Sequence, residues 1–219
     1  MKHDPIATIR DDYNRIAEEY ARRFFHELDG KPFDRNILHR FAAAVSGRGE
    51  VCDLGCGPGH IARCLRDAGA QVFGLDLSPC LLDEARRLNP DIPFRQGNML
   101  SLDLEPDSLA GIAAFYSIVN LRREMLPTAF AEMERVLRPG GLLLLAFHTG
   151  DEVIRPVELW GHAITMEFFH LQPAAIELLL LAAGFAVEAV IERDPYSPEV
   201  EYQSRRAYIF AHKPDPRAE

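Results

Sequence analysis

The sequence predicts a doubly wound α/β domain: a mostly parallel sheet with helices on both faces, an antiparallel last strand and an N-terminal helical cap. Three observations predict it. From residue 50 onward, short apolar runs alternate with amphipathic segments, the pattern of strands buried on both faces by crossover helices. The glycines Gly55, Gly57 and Gly59 follow the first of these runs directly, where a strand must turn into a helix. The last two apolar runs, FAVEAVIERD and RAYIFAHK, are joined by PYSPEVEYQSR, which is too short for a crossover helix, so the two pair antiparallel.

Taken in order, residues 6–28 place Ile9, Tyr13, Ile16, Tyr20 and Phe24 along one helical stripe, and DGKP breaks that helix. Residues 34–45 form a second helix, ended by SGRG. EVCDL is the first strand. The helix PGHIARCLRDAG follows, with Pro58 near its start and Gly69 past its end. QVFGLD is the second strand, and SPCLLDEARRLNP is a helix with Ser78 as N-cap and Pro79 at its first position. IPFRQGN and SLAGIAAFYS are the third and fourth strands. PTAFAEMERVLRPGG is a helix closed by Pro139 and two glycines, and LLLLAFH is the fifth strand. Residues 149–172 are irregular and hold Trp160, His162 and His170, with His148 at their edge. PAAIELLLLAAG reads as an almost wholly apolar helix buried against the sheet, and the antiparallel pair completes seven strands. The expected organisation is one domain over 1–219: a helical cap at 1–45, a core at 46–148, a lid-like insertion at 149–172, and a terminal helix and strand pair at 173–213.

Composition narrows the function. The 219 residues carry a net charge of −9, with 47% hydrophobic and 26% charged residues. A duplex-binding surface needs clustered Lys and Arg to displace counterions, and no such stripe exists, so no nucleic-acid partner is expected. The start, MKHDPIATIRDDYNR, lacks the apolar core of a signal peptide. The runs GLLLLAF and LLLLAAGF are too short to span a bilayer. No membrane partner and a cytoplasmic location are expected. Cys52 falls in a strand and Cys56 in the glycine loop, and no second ligand pair follows at zinc-site spacing, so no metal is expected.

The glycine loop carries the functional signal. A loop between a first strand and its helix presents backbone N–H groups at a helix N-terminus. Dinucleotide sites use G-x-G-x-x-G; here the spacing is G-x-G-x-G, and counted from Gly55 His60 stands where the third dinucleotide glycine would fall. Asp76 ends the second strand, placed to take a ribose diol, and serves either cofactor type. With VCDLGCGPG, VFGLDLSPCLLDEAR, QGN, AGIAAFYSIVN and VLRPGGLLLLAFH in this order, the chain from about residue 40 to 213 resembles the class I S-adenosylmethionine-dependent methyltransferases. More narrowly it resembles their type 11 small-molecule branch.

The resemblance implies a Rossmann-like methyltransferase fold, S-adenosyl-L-methionine as cofactor and a small-molecule acceptor. It implies that Asp53, Gly55, Gly57 and Gly59 surround the methionine part and ribose, and that Asp76 accepts both ribose hydroxyls with Leu77 against the adenine. By the same resemblance Asn98 and Met99 meet the adenine edge and face, Phe115 lies beside the sulfonium, and the cap tyrosines Tyr13 and Tyr20 face the methyl group. Two positions depart from the family pattern: Ala110 stands where an acid often opens the fourth strand, and Asn120 where a histidine is common near its end. The rival functions are a nicotinamide-dependent oxidoreductase, a cofactor-binding module without catalysis, and a protein or RNA methyltransferase.

On the acceptor side, His148 ends the fifth strand at the sheet edge where ligands bind in such folds, a candidate general base. Tyr116, Ser117 and Asn120 follow the fourth strand, and Trp160 belongs to the segment expected to roof the acceptor. Tyr202, Arg205 and Arg206 precede or open the last strand, on the same edge. Guanidinium suits an anionic acceptor group, and Arg205 or Arg206 is expected to hold it, Arg205 first, with Tyr202 nearby.

Overall fold

The computed structural model describes residues 4–217. Helix α1 (Pro5–Phe24) starts where Asp4 caps it, its side chain accepting the Ile6 N–H at 3.0 Å, with Pro5 at the first position. A short 3-10 turn (Glu27–Gly30) leads to α2 (Pro32–Val45). The alternating core follows as β1 (Glu50–Leu54), α3 (His60–Asp67), β2 (Gln71–Asp76), α4 (Pro79–Leu88), β3 (Phe94–Gln96), β4 (Leu109–Phe115), α5 (Leu126–Val136) and β5 (Leu137–His148). Ser78 caps α4 by accepting the Leu81 N–H at 3.1 Å. After an insertion come α6 (Pro173–Ala182), β10 (Ala186–Arg193) and β11 (Arg206–His212).

The main sheet has seven strands in the order β10-β11-β5-β4-β1-β2-β3. β11 runs antiparallel to both neighbours, and the strands from β5 to β3 are parallel. Alternate residues of the central strands enter different cores. Ile112, Ala114, Leu143 and Leu145 pack with Phe130 of α5 on one face. Ala113 and Leu144 pack with Phe41 of α2, Leu65 of α3 and Leu82 of α4 on the other. Each of the larger side chains buried here contributes about 1.5–3 kcal/mol. The doubly wound expectation, with its antiparallel last pair, is met.

Several expected details differ. The helical cap does not extend to residue 45: α2 buries Ile37, Leu38, Phe41, Ala42 and Val45 against the sheet, which makes it a core helix. Pro139-Gly140-Gly141 does not separate α5 from its strand. β5 begins at Leu137, and the register with β4 shifts between Leu109 and Gly111 to absorb the extra residues as a bulge. α6 is only half buried. Ile176 and Leu180 pack inward, whereas Leu178 is 67% exposed and Leu181 50%, because only one face of this apolar helix has a neighbour. The segment 149–172 is ordered as two nested ladders: β6 (Val153–Ile154) pairs with β9 (Phe168–Phe169), and β7 (Glu158–Leu159) with β8 (His162–Ala163).

The insertion and α1 share a small core of their own. Ile16, Ile164 and Met166 are buried together, with Tyr13, Tyr20 and Trp160 against them. One carboxylate ties the two pieces: Asp12 Oδ2 accepts the Thr165 N–H at 2.6 Å and the Met166 N–H at 2.8 Å. Arg15, which pairs with Asp12 at 2.5 Å, donates to the Ala163 carbonyl at 2.8 Å. α1 is further held to the start of α4, where Ser78 Oγ lies 2.6 Å from Asn14 Oδ1.

Candidate active site

The strand order reverses between β1 and β4, so a crevice opens at their carboxyl ends, where such sheets bind ligands. The glycine loop forms one wall. Gly55 has φ +75°, and a Cβ there would sit 2.3 Å from the Ser117 Cβ beyond β4. Only glycine lets the ends of β1 and β4 close on each other. Gly57 lies under the cap: a Cβ there would be 3.6 Å from the Tyr20 ring. Gly59 (φ +81°) is bare for a different reason, since a Cβ would meet Phe94 at 2.7 Å and Asn89 at 2.8 Å. Its bareness serves packing of the loop on β3 rather than access to the crevice.

A cavity fills this crevice. Asp76 lies on its wall with Leu77, Asn98, Met99 and Phe115, and α1 closes it with Tyr13 and Tyr20. Asp76 Oδ2 accepts the Gly57 N–H at 2.9 Å and Oδ1 the Ser78 N–H at 2.8 Å. Each oxygen keeps a second lone pair for a hydroxyl. Burial raises the Asp76 carboxyl above the usual carboxylate range, against the lowering effect of the Ser78 and Gly57 amides. Asp53 is not part of this wall. It points into the start of α3, where Oδ2 accepts the Ala62 N–H at 2.8 Å, and burial pushes its pKa up to about 8. Of the nine residues expected to hold the cofactor, Asp53 and Gly59 are thus outside the cavity lining and shape its loop from behind.

The cavity also carries two orphaned polar atoms. His60 Nδ1 and Ser117 Oγ are both buried without a hydrogen-bond partner among the described residues. Buried polar atoms are rarely left so. With Asp76 they make a donor and acceptor set suited to a polar amino acid joined to a nucleoside, and the residues present fit S-adenosylmethionine.

A second cavity lies beside the first under the insertion, and Tyr13, Tyr20, Glu27 and Tyr116 line both. Tyr13 donates to Asn120 Oδ1 at 2.9 Å, and Asn120 Nδ2 to the Glu167 carbonyl at 3.1 Å, so Asn120 fixes a tyrosine and the insertion together. Tyr20 stacks on Phe24 at 4.5 Å and meets Trp160 at 6.2 Å, and its hydroxyl has no partner among the described residues. Burial raises the pKa of both tyrosines, so both are neutral phenols. Tyr116 and Trp160, with φ of +52° and +53°, hold the left-handed conformation that non-glycine residues rarely adopt. Both border this cavity.

His148 lines the second cavity, with Nδ1 2.7 Å from Ser204 Oγ and its ring 5.0 Å from that of Tyr116. Burial lowers its pKa, Arg206, His170 and Lys31 lower it further against Glu201, and it falls to about 3. At neutral pH it is an uncharged imidazole and a weak base, which removes the driving force expected of a general base. Tyr202 flanks the same ring at 5.9 Å.

Of the two candidate arginines, the structure turns only one inward. Arg205 is absent from the lining of either cavity, is 58% exposed and pairs outside with Asp194 at 3.1 Å. Its neighbour Arg206 is the buried one, only 2% exposed and in the lining of the second cavity. Arg206 belongs to a chain of buried charges that sequence reasoning did not find. His60 Nε2 meets Glu27 at 2.8 Å, Glu27 pairs with Lys31, and Lys31 lies 3.7 Å from Glu201. Glu201 pairs with Arg206 at 3.0 Å and Arg193 at 2.6 Å, and Arg193 with Asp34 at 2.7 Å. Glu27 is buried, which raises its pKa, but His60 and Lys31 outweigh that and hold it down at about 2. The chain joins the two cavities and fixes the residues between them. Among the described residues no three His, Cys, Asp or Glu side chains gather as a metal-binding group.

A family profile described as a methyltransferase domain matches residues 51–141. The chain is 38% identical over 145 residues to a malonyl-[acyl-carrier protein] O-methyltransferase of Serratia marcescens, covering 64% of this chain and 56% of that one. It is 38% identical over 153 residues to a trans-aconitate 2-methyltransferase of Methylobacterium nodulans, covering 68% and 54%. The chain thus spans little more than half the length of these relatives. The solved structure of a DhpI–SAH complex superposes with a TM-score of 0.75 at 20% identity, over 99% of this chain and all of that one, a likeness of fold. Residues 51–141 thus match a methyltransferase domain, and the chain shares the fold of solved S-adenosylmethionine-dependent methyltransferases.

Proposed function

We propose that the protein transfers a methyl group from S-adenosylmethionine to a small-molecule acceptor. The observation that carries this reading is the junction of the two cavities at Tyr13, Tyr20, Glu27 and Tyr116, with Asp76 and the orphaned His60 and Ser117 atoms on one side only. In this reading Asp76 takes the ribose hydroxyls, while Leu77, Asn98 and Met99 bracket the adenine. His60 and Ser117 meet the amino-acid end, and Phe115 and Tyr116 border the methyl group. When bound, S-adenosylmethionine supplies a methyl carbon on a sulfonium, already activated for displacement.

The chain's own task is then positioning and exclusion of water, and a well-aligned pair of reactants lowers a barrier by roughly 7–11 kcal/mol. α1 and the insertion, joined through Asp12, close over the junction. Tyr13, anchored on Asn120, and Tyr20, wedged against Phe24 and Trp160, form apolar walls that carry no charge. His148 accepts or donates a hydrogen bond at the far wall and is not assigned a base role, since its pKa of about 3 makes it a poor proton acceptor. We place the reaction in the cytoplasm: Cys52, Cys56, Cys64 and Cys80 are all free, and among the described residues no helix is long and apolar enough to cross a membrane.

The test is transfer of labelled methyl from S-adenosylmethionine into a pool of small metabolites. Label that enters the pool with the wild-type protein and not with Asp76→Ala supports the reading. No transfer to any member, despite tight cofactor binding, replaces it with the binding module.

A further inference from the structure

The second cavity has two unlike ends. Ile16, Phe24, Leu159, Trp160, Met166 and Phe168 make one end apolar. The other end is polar and is built around Arg206, with His148, His170 and Tyr202 beside it.

Arg206 is buried but incompletely matched. Nη1 donates to the Ser204 carbonyl at 2.5 Å and reaches Ser204 Oγ at 3.4 Å. Nε is 3.0 Å from Glu201 Oε2 yet makes no hydrogen bond, and Nη2 has no partner among the described residues. Glu201 is heavily shared. Its Oε1 takes Arg193 Nη1 and the Tyr196 N–H, both at 2.6 Å, and its Oε2 takes Arg193 Nη2 at 3.1 Å. Glu201 is thus largely taken by Arg193, which has Asp34 besides, and Arg206 keeps unmet donors; a buried cation with unmet donors is costly.

His148 adds a neutral donor. Ser204 Oγ accepts from Arg206 and still has its own proton to give to His148 Nδ1; in that tautomer the neutral ring carries its proton on Nε2, for which no partner stands among the described residues. Arg206 and Lys31 act on His148 as positive charges and Glu201 as a negative one.

We propose that the acceptor is an amphipathic carboxylate, its charged group seated against Arg206 and His148 Nε2–H and its apolar body lying beneath Trp160, Met166 and Phe168. The proposal rests on the methyl-transfer reading only in calling this cavity the acceptor's. Arg206 is then a specificity-determining residue, placed beyond Tyr116 from the cofactor cavity. Its guanidinium lies 5.9 Å from the centre of the Tyr116 ring, so the strained tyrosine stands between the anchored charge and the junction.

The probes are matched pairs of equal shape and unequal charge: 2-naphthoate with 2-naphthamide, and octanoate with octanamide. Each is titrated calorimetrically into the full chain, without cofactor and again with saturating S-adenosylhomocysteine. The acids are expected to bind at least tenfold more tightly than their amides. Arg206→Met should bring the ratio close to one, and Arg206→Lys, which keeps the charge opposite Glu201, should leave it in between, with cofactor affinity unchanged in both. The wild-type comparison decides the case even if Arg206→Met fails to fold. Equal binding of acid and amide, binding of neither, or an acid preference that survives in a folded Arg206 variant overturns the proposal. S-adenosylhomocysteine affinity is read in the same titrations, so loss of the cofactor reading and loss of the carboxylate reading give different results.

Discussion

Replacing Asp12 by alanine should free the roof of the second cavity without unfolding the sheet. The Asp12 carboxylate is buried, which raises its pKa, but the Thr165, Arg15 and Met166 hydrogen bonds outweigh burial and lower it, so it is ionised at neutral pH. Two backbone N–H groups of the insertion end on one of its oxygens, at 2.6 and 2.8 Å. Hydrogen bonds to a charged group are each worth roughly 1.5–3 kcal/mol, and the stranded amides lose their acceptor. The contacts of Ile16, Ile164 and Met166 persist, so the lower end of the range applies. Local opening should become easier by about 3 kcal/mol, which corresponds to roughly 100-fold faster exchange. The assay is native-state hydrogen exchange followed at the Thr165 and Met166 amides. Asp12→Asn keeps an acceptor oxygen without the charge and should give about a tenfold increase, reflecting the weaker neutral bond. Sheet amides such as Ile112 and Leu144 should keep their protection, because stability is distributed in local units. Unchanged exchange at Thr165 and Met166 would refute the latch. Equal loss of protection throughout the sheet would show that α1 belongs to the core.

Gly55→Ala should destabilise the fold by roughly 2–4 kcal/mol, since it combines a positive φ with a Cβ placed 2.3 Å from Ser117. Gly47→Ala, with φ +68° and open space, should cost only about 1 kcal/mol; denaturant unfolding that ranked the two equally would contradict the close approach of β1 and β4. His148 has a folded pKa of about 3, below its unfolded value, so between pH 6.5 and 5 the unfolded chain binds a proton that the folded one does not. Stability from this group is present above pH 6.5 and declines as the pH falls, by at most about 1.4 kcal/mol per unit. His148→Gln should flatten that decline in urea unfolding at pH 6.5, 6 and 5, and parallel profiles would contradict the buried neutral ring.

The half of the site built on local chain geometry was legible in the sequence. Gly55, Gly57 and Asp76 follow from a strand-loop-helix unit and its neighbour, and short-range chemistry fixes where they sit. Gly59 was legible as part of the motif but not in its purpose, because the Phe94 ring that it accommodates arrives from another strand. The acceptor half depends on long-range pairing. Arg205 and Arg206 are adjacent, and the choice between them is made by the register of β11 on β5, which sets Arg206 opposite His148. Alternation gave no help, since Arg206 through Ala211 are buried without a break on both faces of that strand. Asp34 and Arg193 are 159 positions apart, and each reads alone as a solvated charge. The apolar length of α6 misled in the opposite direction, because composition does not reveal that one of its faces lacks a neighbour.

The central claim is that the crevice between β1, β2 and β4 takes S-adenosylmethionine through Asp76. Calorimetric titration of the wild-type chain and of Asp76→Ala with S-adenosylmethionine and with a nicotinamide dinucleotide tests it most directly. The variant loses two hydrogen bonds to a charged acceptor, each worth roughly 1.5–3 kcal/mol before solvent compensates. The account predicts tight binding of S-adenosylmethionine alone, weakened about 10- to 1000-fold in Asp76→Ala. Preferential binding of the dinucleotide, or S-adenosylmethionine binding indifferent to Asp76→Ala, would contradict it.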